Sequence, residues 1–196
     1  MDTSPQPRVI LVDENGERAP TVAQALSASG FELVATLGSG ADLKARMIEL
    51  QADVVIIDMD SPDRDILENM RQVGAEMPRP IVMFSQDGHP DMIRAAVEAG
   101  VSAYVVDGLK LERIKPIVDV AIARFAQFQS LRGELDKARS SLAERKLIER
   151  AKGILMKRRD CDEEEAYAFM RKTAMDQKLR LADIANKIIA AAELLG

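Results

Sequence analysis

Apolar residues fall into two patterns that change near residue 111. Before it come five short apolar runs: RVILV (8–12), FELVATL (31–37), DVVIID (53–58), PIVMFS (80–85) and SAYVV (102–106). They are rich in β-branched residues and bounded by Gly, Pro, Asp or Ser, as buried strands are. Between them, helical spacing is read near 17–28, 41–50, 63–73 and 90–99, and a fifth helix opens near Leu111. Strands alternating with helices predict a parallel sheet covered on both faces. Right-handed crossovers then favour a doubly wound, flavodoxin-like (βα)5 domain, class α/β, with its site at the carboxyl ends of the strands.

After Leu111 the only proline is Pro116, a residue that a first helical turn tolerates. Ile117, Ala121, Arg124, Phe128, Leu131, Leu135, Ala138 and Leu142 recur at alternating spacings of four and three, a heptad seam. One reading is an amphipathic helix lying on its own first domain. A dimerising coiled coil is favoured, because residues 126–142 exceed what that domain needs. The rest reads as three helices. The first carries Leu147, Ile148, Ala151, Ile154 and Leu155 on one face. The second opens at Asp162, with Glu165 completing a capping box, and has Ala166, Phe169, Met170, Thr173 and Ala174 inside. The third has Leu181, Ile184, Ala185, Ile188 and Ala192. Met156 and Met175 are also assigned to this core. Domain boundaries are set at 1–125, 126–142 and 143–196.

The hydrophobic fraction of 47% can supply a core, and no stretch is long enough to span a bilayer. A secretory signal is not visible, and a single cysteine, Cys161, fits the reducing cytoplasm, the expected location. One Cys and one His, His89, leave no zinc site and no catalytic triad, so an enzyme is not expected. The net charge of −5 is uneven: residues 1–125 hold 12 Lys+Arg against 20 Asp+Glu, whereas residues 143–196 hold 12 against 10. The acidic front suits a metal or phosphoryl site; the slight basic excess behind does not by itself establish nucleic-acid binding.

Asp13 and Glu14 follow the first strand, Asp58 ends the third and Ser85 the fourth. Carboxylates gathered there repel unless a cation neutralises them, and a hard ion with oxygen ligands, Mg²⁺, is the natural one. Asp58, on the central strand, is then the candidate nucleophile for a phosphoryl group. ILVDE, VVIIDMD, VMFS and VSAYVV resemble the strands of the response-regulator receiver family over about residues 7–123. The resemblance implies Asp58 as phosphoacceptor, Mg²⁺ held by Asp13, Glu14, Asp58 and the backbone carbonyl of Asp60, and Ser85 and Tyr104 as switch residues. One position departs. Receivers carry a lysine three residues after the aromatic switch, followed by proline; here stand Asp107 and Gly108. An aspartate there repels an aspartyl phosphate where a lysine would pair with it. A docking surface for a sensor protein is the competing role.

The C-terminal segment contains AKGILM (151–156), EEEAY (163–167), Arg171 with Ala174 and Met175, and RLADIA (180–185). These blocks resemble the ANTAR family of RNA-binding antiterminators over about 143–195. Receiver, coiled coil and ANTAR in this order resemble the AmiR and NasT types of regulator, and the wording leans to the NasT type of nitrate and nitrite assimilation. The resemblance implies RNA hairpins of a leader transcript as ligand. It also implies a nitrate- or nitrite-sensing partner, with a histidine kinase second, and a homodimer when active; no membrane partner is implied. Candidate RNA contacts are Lys152, Lys157, Arg158, Tyr167, Arg171, Lys172, Lys178 and Arg180. Lys157, Arg158 and Arg159 also suit a helix C-terminus, and Tyr167 is equally readable as a core aromatic. Gly153, costly inside a helix, is assigned to close packing of another helix, with close approach of RNA backbone as the second reading. The rivals are a DNA-binding response regulator, in which the last two helices form a helix-turn-helix, and a pure interaction protein.

Overall fold

The computed structural model describes residues 6–14, 16 and 19–194. The chain forms two compact units, Met1–Gln129 and Ser130–Gly196. In the first, β1 (Arg8–Asp13), β2 (Glu32–Leu37), β3 (Val54–Asp58), β4 (Ile81–Ser85) and β5 (Ala103–Val106) alternate with α1 (Ala19–Ala28), α2 (Leu43–Leu50), α3 (Arg64–Glu76) and α4 (Pro90–Glu98). The strands are parallel and ordered β2-β1-β3-β4-β5. The chain order reverses direction at β1 and β3, so a crevice opens beyond their carboxyl ends.

The central strands are apolar throughout because both of their faces are covered. Alternation then sorts side chains by face. Ile10, Val12, Val55, Ile57, Ile81 and Met83 join Met47, Met70 and Val73 of α2 and α3. Val9, Leu11, Val54, Ile56, Val82 and Phe84 join Val22 and Leu26 of α1 and Ile114, Val118 and Ala121 of the following helix. Asp42 and Asp63 cap α2 and α3, accepting from Ala45 N at 2.9 Å and Ile66 N at 2.8 Å. Helix α3 runs through Gly74 to Glu76, three residues past its expected end, and stops before Pro78. Of the first expected helix, Glu17 and Arg18 lie outside the described residues.

Helix α5 is a single helix, Leu111–Arg159. Pro116 stands sixth in it, beyond the expected first turn, and forfeits the bond to the Glu112 carbonyl where Glu112 is exposed and water is at hand. The heptad seam divides. Ala121 is fully buried and Ile117 partly so, both packed in the first unit's core, so the helix begins on its own sheet. Phe128, Leu131, Leu135 and Leu142 are exposed.

In the second unit, α6 (Glu163–Gln177) and α7 (Leu181–Leu194) pack with the end of α5. The core consists of Ala151, Leu155, Ala166, Met170, Ala174, Ile184, Ala185 and Ile189. The capping box at Asp162 forms as expected: Asp162 Oδ1 accepts from Glu165 N at 2.8 Å, and Glu165 Oε2 from Asp162 N at 3.3 Å. Two core assignments are corrected. Met175 is 70% exposed and Met156 sits at the surface, since only Ala166, Met170 and Ala174 of α6 face inward. Phe169, also expected inside, is half out of the core, with the Arg159 guanidinium 4.0 Å from its ring centroid. Gly153 is corrected too: a methyl group built there meets nothing within 4 Å, so helix packing does not require it.

Candidate functional site

The ends of β1, β3 and β4 bring the expected acidic pocket together. Asp13 and Asp58 are partners in strand register, and Asp13 is buried. The Glu14 side chain is exposed, while its N–H donates to the Asp58 carbonyl at 3.4 Å. Ser85 is completely buried at the end of β4.

The hydrogen bonding differs from the expected metal-and-phosphoryl arrangement. The Ser85 hydroxyl donates to the Asp60 carbonyl at 2.8 Å and accepts from Asp87 N at 3.1 Å. The same carbonyl accepts from Gln86 N at 3.1 Å and Asp87 N at 3.2 Å. With two lone pairs and three donors, it is saturated. The Asp60 carbonyl is thus turned into the loop between β4 and α4. Tyr104, the aromatic switch candidate, donates its hydroxyl to the Asp87 carbonyl at 2.7 Å. Asp87 also accepts from His89 N at 2.9 Å and from the Ser61 hydroxyl at 3.4 Å. Asp87 thus ties β3, β4 and β5 together at the crevice. Sequence reading missed it, although an Asp standing three residues before the Pro90 that opens a helix is a recognisable Asx turn.

Asp107 has φ 74° and the next residue, Gly108, φ 68°. A left-handed pair makes a tight turn, which Asp tolerates and Gly favours. Gly108 N donates to the Ser85 carbonyl at 3.1 Å. A Cβ at Gly108 would stand 2.6 Å from the Gln86 amide nitrogen, so the turn lies flat against Gln86. Asp107 is exposed beside this turn.

Mg²⁺ needs a near-octahedral oxygen set but keeps several waters. Asp13 and Asp58 are hard oxygen donors in adjacent strands. Among the described residues, however, no three Asp, Glu, His or Cys side chains come together as a metal group, and the Asp60 carbonyl is engaged. Asp13 and Asp58 are the two side-chain donors that this arrangement offers such an ion.

In the second unit the eight candidate RNA contacts separate. Lys152 is only 7% exposed, and its ammonium lies 2.7 Å from both Glu149 and Glu163. Hydrogen bonds to Glu149 and then Glu163 outweigh desolvation and hold its pKa above the usual lysine value. It clasps α6 to α5 and presents no free charge to a ligand. Arg180 bonds Asp183 at 3.2 Å and reaches Glu144 at 3.5 Å. The bond to Asp183 raises the pKa of Arg180 and lowers that of Asp183. Arg158 donates to the Ala192 carbonyl at 3.2 Å, near the end of α7. Lys157, Arg171, Lys172 and Lys178 are exposed and enter none of the ion pairs among the described residues; Tyr167 is also exposed.

The charges are polarised. Asp160, Asp162, Glu163, Glu164 and Glu165 gather where α5 passes to α6. Arg171 and Lys172 stand midway along α6 and Lys178 is its C-cap, with Lys187 on α7 within 3.0 Å of Gln177. The acidic first turn of α6 is thus set apart from the cations farther along the same helix.

Residues 9–119 match the response regulator receiver domain, and residues 136–189 match the ANTAR domain. The transcriptional regulatory protein PdtaR of Mycobacterium tuberculosis is 28% identical over 183 residues, covering 93% of this chain and 89% of that protein. The nitrate regulatory protein of Klebsiella oxytoca is 34% identical over 88 residues, 45% of this chain but only 22% of that protein. A LuxR-family DNA-binding response regulator from Staphylococcus aureus superposes with a TM-score of 0.52 at 20% identity, covering 59% of this chain and 98% of that one. The chemotaxis regulator CheY4 of Vibrio cholerae gives 0.51 at 19%, with the same coverages. These two likenesses concern the fold of the first unit alone. No helix among the described residues is long and apolar enough to cross a membrane. With more than half its length matched to the receiver domain and the ANTAR match behind it, this chain belongs to the response regulator family and is an ANTAR-type response regulator.

Proposed function

We propose that this chain binds hairpins in a leader transcript through exposed cations of its ANTAR module and promotes transcription antitermination. The observation that carries this reading is the set of Lys157, Arg171, Lys172 and Lys178, exposed and outside the ion pairs among the described residues, whereas Lys152, Arg158 and Arg180 are engaged. Unpaired cations neutralise phosphates, and the exposed Tyr167 supplies a ring on which a splayed base can stack. Lys152 and Arg180 act one step back, holding the three helices in place. The module is taken as residues 143–196, the receiver as 1–125 and the intervening 126–142 as the coiled-coil segment through which two chains pair in the active state.

The target genes are those of nitrate or nitrite assimilation, a reading supported by the partial likeness to the nitrate regulatory protein. The receiver serves as the docking surface of a nitrate- or nitrite-sensing protein. Asp107 and the engaged Ser85 and Asp60 support docking over phosphorylation at Asp58 as the means of control. The working location is the cytoplasm.

The test is to sequence RNA that co-purifies with the chain, then titrate the enriched hairpin against wild type and the triple variant Arg171→Ala, Lys172→Ala, Lys178→Ala. Each lost phosphate contact lowers the slope of log K against log salt by about 0.7 to 0.9, so a drop near 2 is expected. An unchanged slope and affinity, or tight binding to duplex DNA with none to RNA, refutes the proposal.

A further inference from the structure

We propose that a pocket in the second unit, between the end of α5 and the start of α6, docks a basic segment of a partner protein through one apolar side chain. The pocket measures about 350 Å³. Leu155, Cys161, Ala166 and Phe169 line it, with Arg159 and Glu165 as the charged members. Ligand cavities run from about 300 to 1,000 Å³, so this one suits a single side chain rather than a cofactor. Leu155 and Ala166 are buried, whereas Phe169 is 39% exposed and carries the Arg159 guanidinium over its ring. An aromatic ring left half out of the core beside an apolar recess is what the anchor residue of a partner covers.

The surrounding charge chooses the occupant. Residues 160–165 carry five carboxylates and no cation. Asp160 and Asp162 flank Cys161 in the chain, and Glu164 adjoins Glu165. Glu163 is answered by Lys152, but Asp160, Asp162, Glu164 and Glu165 enter no ion pair among the described residues. Carboxylates in the first turn of α6 also suit its helix dipole, yet the dipole accounts neither for the recess nor for the exposed ring. A polyanion is repelled from such surroundings, and a run of Lys or Arg is drawn to them. The pocket also faces away from most of the RNA contacts proposed on α6. Tyr167 and Arg171 each stand two residues from Phe169, about 200° around the helix. Lys178, nine residues on, comes round to the same far side, whereas Lys172, three residues on, shares the side of Phe169. The occupant is therefore a protein segment with Lys or Arg around one apolar anchor, and it leaves Tyr167, Arg171 and Lys178 open to RNA.

The chain has no tryptophan and a single cysteine, Cys161, so probe and pocket each carry their own reporter. The probe is a short peptide with one tryptophan between two runs of lysine, mixed with the full chain. Its emission is expected to move to shorter wavelength on binding. Alkylation of Cys161 by N-ethylmaleimide is expected to slow about tenfold when the peptide stands at about ten times its Kd. Cys161 alkylated beforehand should no longer let the peptide bind. Asp160→Asn with Glu164→Gln spares the capping box and keeps a residue that tolerates the left-handed backbone of position 160. That variant is expected to weaken binding about fivefold. Arg171→Ala with Lys178→Ala should leave the protection of Cys161 unchanged, and its loss there would overturn the two-faced arrangement. Absence of both the emission shift and the protection overturns the docking site. Equal protection by a peptide with glutamate runs, or by one with alanine in place of tryptophan, overturns the basic segment or the anchor. Protection by the hairpin RNA that co-purifies with the chain, and not by the peptide, gives the pocket to RNA and overturns the proposal while leaving the RNA reading standing.

Discussion

Replacing Met170 by alanine removes the one large side chain that is completely buried in the core of the ANTAR module. Met170 is completely buried, and four of its core companions are Ala151, Ala166, Ala174 and Ala185. The deletion takes away three heavy atoms beyond Cβ, about 2 kcal/mol of transfer free energy. A further cost depends on how far the site collapses, and buried Met→Ala changes span about 2–5 kcal/mol. Alanine walls collapse poorly, because each methyl is fixed to a helix backbone and can advance only if the helix moves. The cost is therefore placed at about 3–4 kcal/mol. A unit the size of Ser130–Gly196 has a total stability of about 3–10 kcal/mol, so much of it is lost. The melting midpoint of the module should fall by about 12 °C or more. Thermal circular dichroism on the full chain, with amide hydrogen exchange to separate the two units, measures this. Met170→Leu, nearly the same volume, should cost less than about 1.5 kcal/mol. A loss below about 1 kcal/mol in Met170→Ala, or an equal loss of protection in the receiver sheet, would show that the alanine-walled core is not what holds the module.

Three further outcomes are expected. The raised pKa of Lys152 means that its contribution to stability is complete below the ordinary lysine pKa of about 10.4 and disappears as pH rises through the raised value. Helicity of the module should thus fall at strongly alkaline pH in wild type and be insensitive there in Lys152→Met; identical alkaline profiles would contradict the clasp. Asp162→Ala removes the capping box and should destabilise the module by about 1 kcal/mol in urea titrations, with no change in the receiver transition. Asp58→Asn should leave induction of a leader-controlled reporter intact, and complete loss of response would restore phosphorylation as the switch.

Alternation of short apolar runs with helical stretches was enough to read the doubly wound receiver, because a strand buried on both faces must be apolar at every position and a turn must carry its Gly, Pro or Asp. The capping box at Asp162 was legible for the same reason, since its bonds join residues three apart. The heptad seam was legible as a period, but not as two surfaces. Only the tertiary structure gives Ala121 to the receiver core and leaves Leu131 to Leu142 open, because a period says which residues share a face and not what covers it. Strand order was enough to set Asp13 beside Asp58, whereas the engagement of the Asp60 carbonyl and the hub at Asp87 depend on where loops from separate strands meet. Charge is the sharpest case. Lys152 and Lys172 are alike in the sequence, yet one is clasped by Glu149 and Glu163 and the other is open to solvent. A cation's availability is a property of its neighbours in space, and those neighbours are chosen by the packing of α5 on α6.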